Sequence, residues 1–161
     1  MNAWLERLDR ALGRALDWGA WLVLPVVTLL FLQWPLRDLV HGYSREANDL
    51  GQWLFALYVA MAVTVATRAH THLAADLIAR GYSPRLRVTV ARAGALIGIV
   101  PWALFVLYAG SRTIANSVAG FESFPDTFNP GYFLIKIAMG LLALLALVQA
   151  LIDLLRPRVP A

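Results

Sequence analysis

Residues 68–81 read RAHTHLAADLIARG and gather the chain's densest set of chemistry-bearing side chains: Arg68, His70, His72, Asp76 and Arg80. Two histidines with an aspartate close by raise the question of a metal. On a strand, a His-x-His pair presents both rings to one face. On a helix, residues two apart diverge by about 200°. The flanking sequence favours a helix, with Thr71 as N-cap, Leu73, Leu77 and Ile78 on one face, and Gly81 as a stop. A metal site needs three or four convergent ligands. The third histidine, His41, falls on the opposite side of the membrane in the topology derived below. The spacing therefore points to a juxtamembrane turn leading into a short amphipathic helix, with no metal ligands assigned.

Other chemistries are excluded or disfavoured by residue type. The chain has no cysteine, so disulfides, thiolate catalysis and thiolate-held clusters are ruled out. A haem-bearing anchor would place histidines inside its spans, and every span here lacks one. A path for ions or protons is marked by ionisable residues at membrane depth. The nearest is Lys136, about one turn into the last apolar run, where it can snorkel to the interface. No catalytic residue and no cofactor-binding residue is assigned.

The elements that carry these residues are membrane helices. Of 161 residues, 60% are hydrophobic and only 15% charged, with a mean hydropathy of +0.63, against roughly half apolar and about a quarter charged in soluble domains. A spanning helix takes about 20 apolar residues. Four runs qualify, giving spans at about 18–40, 50–67, 88–111 and 131–153. The expected fold is an all-α integral membrane protein, one domain over residues 1–161. To the four spans it adds an N-terminal interfacial amphipathic helix over 2–17 and the short cytoplasmic helix between spans two and three. In the N-terminal helix, Trp4, Leu5, Leu8, Leu12, Ala15 and Leu16 form an apolar stripe, with Glu6, Asp9, Arg10, Gly13 and Asp17 mostly opposite. Ser83 and Pro84 are expected to start the third span, and Pro25 and Pro101 to kink theirs mildly.

Lys and Arg outside the spans number ten on one side and three on the other, or four with Lys136 added. The excess puts both termini and residues 68–81 in the cytoplasm. The N-terminus does not read as a cleavable signal, because the apolar run is too long and no small-x-small site follows it. Trp18, Trp21, Trp34, Trp53 and Trp102, together with Lys136, are read as interfacial anchors. Residues 121–133, FESFPDTFNPGYF, form an outer loop that either contacts an extracytoplasmic partner or simply lies at the interface.

The stretch ANDLGQWLFALYVAMAVTVATRAHTHLAADLI resembles the second span and following loop of the small membrane subunit of tripartite ATP-independent periplasmic (TRAP) transporters. Asp49 or Glu46 matches that family's acidic position before the span. Arg68 matches its basic position, and His72, Leu73 and Asp76 match its His–hydrophobic–x–x–Asp pattern. The resemblance implies a non-catalytic subunit of a secondary transporter in a bacterial inner membrane. It implies a scaffold for a large multi-spanning permease, which would hold the sodium and substrate sites, with a periplasmic binding protein delivering an organic acid or similar solute. No cofactor is expected in this chain, and no nucleic acid; lipids and the two other components are the expected partners. Small residues, Ala60, Ala62 and Ala66 or Gly94 and Gly98, are expected to pack against the large subunit. The competing reading is a membrane anchor for a redox or other membrane-associated enzyme.

Overall fold

The computed structural model describes residues 3–39, 44–69 and 82–155. Its elements are α1 (Ala3–Ala20), α2 (Val23–Leu39), α3 (Arg45–Arg68), α4 (Pro84–Gly94), a wide π turn (Ala95–Ile99), α5 (Val100–Ala119) and α6 (Tyr132–Leu155). Four stretches are long and apolar enough to cross a bilayer: Ala3–Leu36, Arg45–Arg68, Val88–Ala119 and Tyr132–Leu155. The fold is all-helical, and the chain is a multi-pass membrane protein. The expected helix over 70–81 lies outside the described residues, as do His41, His70, His72 and Asp76.

Local chemistry sets the helix starts. Ser44 caps α3, accepting from the Ala47 amide at 3.1 Å while donating to Glu46 at 3.1 Å. Ser83 caps α4 by accepting from the Leu86 amide at 3.4 Å, with Pro84 opening the helix. Pro101 lacks an N–H, and its ring would crowd the carbonyl four residues back. The chain relieves this with the π turn just before it, so the expected kink takes the form of a widened turn. Pro25 sits in the first turn of α2, where a missing N–H costs little.

α6 is the central helix, packed along α3 on one side and α5 on the other, while α2 packs on α3. Small residues allow close approach: Ala60, Ala103, Ala138, Ala143 and Ala150 are all buried. Ala60 therefore serves this chain's own core, a correction to its expected role at a subunit interface. Ala62 and Ala66 are half-buried. Gly94 and Gly98 face open space, with no atom near where a Cβ would stand.

α1 is not set apart from the rest. It runs to Ala20 and joins α2 through a short turn at Trp21 and Leu22, held by i→i+3 bonds such as Trp21 N to Trp18 O at 3.2 Å. Its Leu5, Leu12 and Leu16 pack on Ile152 of α6, with Met61, Leu145 and Val148 around them. Gly19 continues that face: a Cβ there would lie 1.9 Å from the Met61 sulfur. The buried face is narrower than the expected stripe, and Trp4 and Leu8 point outward. Asp9, four residues after Leu5 and three before Leu12, shares the buried face instead of lying opposite it.

Candidate functional site

Polar side chains gather at the two ends of the bundle. At one end Arg68, the last residue of α3, donates through Nη1 to Asp9 of α1 at 2.8 Å and to Gln149 of α6 at 3.0 Å. The Asp9 side chain is 14% exposed and Gln149 is buried. One guanidinium thus ties three helices together. Both bonds leave one nitrogen of the guanidinium, a group more weakly hydrated than a lysine ammonium and so less costly to hold half-buried. Next to it, Thr64 is buried and donates to the Ala60 carbonyl four residues back, which satisfies its hydroxyl within the helix.

At the other end, Asp49 is 7% exposed, yet it belongs to the first turns of α3. Its carboxylate accepts from the Thr127 hydroxyl and from the Asn129 side-chain Nδ2 at 3.4 Å. It therefore holds the α5–α6 loop against α3. That loop is tightly built. The Phe124 amide donates to the Asn129 carbonyl and the Phe128 amide to the Phe124 carbonyl, both at 2.9 Å, and Ser123 pairs with Pro130 in an isolated bridge. Phe124 is buried edge-on to Tyr132, at 5.6 Å between centroids. Gly131 has φ 142, a region closed to side chains, and a Cβ there would press on Phe124.

Glu122 forms the loop's second anchor. Its carboxylate accepts from Lys136 of α6 and from the Ser117 hydroxyl of α5. Its carbonyl accepts from the Gly131 and Tyr132 amides at 3.2 and 3.1 Å. Lys136 first, and Ser117 with it, holds the Glu122 carboxyl below the usual glutamate range, against a smaller opposing effect of burial. The Lys136 ammonium also lies 5.5 Å from the Tyr132 ring centroid.

The two ends are a membrane apart. Asp49 and Arg68 are 19 residues apart on α3, or about 28 Å of rise, close to the roughly 30 Å of hydrocarbon in a bilayer.

Of the residues singled out from sequence, Asp49, Arg68 and Lys136 each join a polar cluster. Those clusters are separate and do not form one site. Trp18, Trp21, Trp34 and Trp102 are exposed on the bundle surface and Trp53 is half-buried. Among the described residues no group of three His, Cys, Asp or Glu could hold a metal. Sequence reasoning missed Asp9, Gln149, Glu122, Thr127 and Asn129 as partners. Gln149 carried one signal, a polar amide in an apolar run.

What these features define is a multi-pass membrane subunit whose polar groups brace its own helices. The family model for tripartite ATP-independent periplasmic transporters, DctQ component, matches residues 26–158, and the chain belongs to that family. Neither the curated proteins nor the solved structures contain a match to it. The chain is thus a small permease component of a binding-protein-dependent transporter, and it is non-catalytic.

Proposed function

We propose that this subunit is a rigid scaffold for the large permease subunit of a TRAP transporter. The observation that carries this is the placement of its polar groups. Arg68, Asp9 and Gln149 clasp three helices at one boundary, while Asp49 and Glu122 lock a loop at the other. The long apolar stretch between them offers no ionisable group for a transport path. Polar groups used up in internal bracing favour a static wall against which another subunit moves.

In this reading Arg68 and both termini face the cytoplasm, in keeping with the arginine excess on that side. α1 lies partly in the headgroup region, with Trp4 and Leu8 toward lipid and Leu5, Leu12 and Leu16 toward the bundle. The outward-facing Gly94, just before the π turn, and Gly98, within it, are where a helix of the large subunit approaches. Sodium and the organic acid or similar solute bind in the large subunit, and the periplasmic binding protein docks on the opposite side from Arg68.

The test is gentle affinity purification from the native membrane, with mass identification and liposome uptake. A co-purifying subunit of ten or more spans is expected, with sodium-dependent uptake only when both subunits and the binding protein are present. Uptake by this chain alone, or co-purification with a soluble enzyme instead, overturns the scaffold role.

A further inference from the structure

The loop joining α5 to α6 carries two phenylalanines whose backbones are in the left-handed region, Phe121 at φ 46 and Phe128 at φ 59. Both rings are outward, 69% and 81% exposed. Bulky residues rarely take this conformation, and turns that need it ordinarily place Gly or Asn there. Here the surrounding bonds enforce it. Phe128 lies between Thr127 and Asn129, both held by Asp49, and its amide is bonded to the Phe124 carbonyl. Strain maintained by so many contacts points to a use for the strained side chains.

Depth identifies what the rings meet. Phe128 is level with Asp49, which stands about one hydrocarbon thickness from Arg68 along α3. Phe121 packs edge-on against Phe133, in the first turn of α6, at 6.0 Å between centroids. From Phe133 to Gln149, at the other boundary, is 16 residues, about 24 Å. Both rings therefore sit at or just inside the edge of the hydrocarbon. The one lysine at this rim, Lys136, is paired with Glu122.

We propose that Phe121 and Phe128 form a rigid apolar foot seated in the acyl-chain side of the bilayer's headgroup boundary, and that Asp49 fixes its depth. The occupant is lipid. This rests only on α3, α5 and α6 spanning the bilayer, not on the scaffold role.

The absence of cysteine allows clean single-site labelling. Phe128→Cys and Phe121→Cys are labelled with a nitroxide and reconstituted in phosphatidylcholine nanodiscs, as the chain alone and with its co-purified subunits. Collision with oxygen, which partitions into lipid, is compared with collision with a water-soluble nickel chelate. Labels on exposed Asp126→Cys and on Leu144→Cys, within α6, report water and mid-bilayer. Oxygen collisions are expected to exceed nickel collisions several-fold at 121 and 128, between the two references and nearer to Leu144. Adding Asp49→Ala is expected to shift both labels toward the Asp126 value. Labels that read like Asp126 overturn the proposal. So do labels shielded from both reagents in the complex but not in the lone chain, since a protein then covers the rings. If Leu144 itself reads as water, the spanning arrangement fails instead, which separates that failure from this one.

Discussion

Replacing Arg68 with Met removes the guanidinium and keeps much of the stem's volume. Two hydrogen bonds are lost, to Asp9 at 2.8 Å and Gln149 at 3.0 Å. Removing one partner of a fully buried ion pair costs roughly 3–5 kcal/mol, while an exposed pair is worth about 0–1 kcal/mol. The Arg68 side chain is 26% exposed and Asp9 14%, so the clasp falls between these limits, at about 2 kcal/mol. For a chain of this size that is a drop of about 4–8 °C in Tm. The assay is thermal unfolding in mild detergent, followed by circular dichroism, on Arg68→Met, Asp9→Asn and the double variant. A coupling of about 1 kcal/mol is expected, because the residues share one network. Arg68→Lys should lose an intermediate amount, since a shorter side chain must bring a more strongly hydrated ammonium to the same two acceptors. Additivity within about 0.3 kcal/mol would refute the claim that this clasp braces α1 and α6 against α3.

Asp49→Ala unpins the α5–α6 loop from α3; it should cost about 1–2 kcal/mol and speed hydrogen exchange at the Phe124 and Phe128 amides, and unchanged exchange there would count against the staple. The Glu122 carboxyl is held below its ordinary range, so its pairing with Lys136 and Ser117 stabilises the fold at neutral pH. That stability is lost as pH falls from the ordinary glutamate range through the lower folded value. Glu122→Gln should flatten the pH dependence of unfolding in that window, and an unaltered profile would show that the pairing does not contribute. Gly19→Ala puts a methyl against Met61 and should destabilise by roughly 1–3 kcal/mol. Met61→Ala in the same chain should recover part of that loss in the same unfolding assay, and no recovery would mean that α1 and α3 do not meet there.

The architecture was legible because length and hydropathy dominate in lipid: runs of about 20 apolar residues have few alternatives to a helix. The Ser83–Pro84 start of α4 was legible for a local reason, since cap and first turn are neighbours in sequence. The polar clusters were not. Asp9 meets Arg68 across 59 residues and Asp49 meets Thr127 across 78, and no periodicity encodes such pairings. Asp9 misled for a further reason. A stripe drawn by hydrophobicity assigns an aspartate to the polar face, whereas a guanidinium from another helix can draw it inward. The left-handed Phe121 and Phe128 were equally hidden, because phenylalanine carries none of the turn chemistry that announces a positive φ. Arg68 was found by resemblance, and only its geometry explains what a basic residue does at that position.

The wide turn at Ala95–Ile99 also sets a phase. One residue of an α-helix is worth about 100° of rotation, and a π turn absorbs an extra residue without shortening the helix on either side of it. Arg85 and Leu86 on α4 therefore face a direction fixed by that surplus residue, relative to Ala103 in the bundle core. Closing that turn to regular α geometry with every residue kept would swing the arginine-bearing end about a quarter turn around its axis, whereas deleting one residue between 95 and 99 would yield a smoother helix with its two ends still in phase. The small irregularity thus works as a keyway, aligning one end of a long rod with the other.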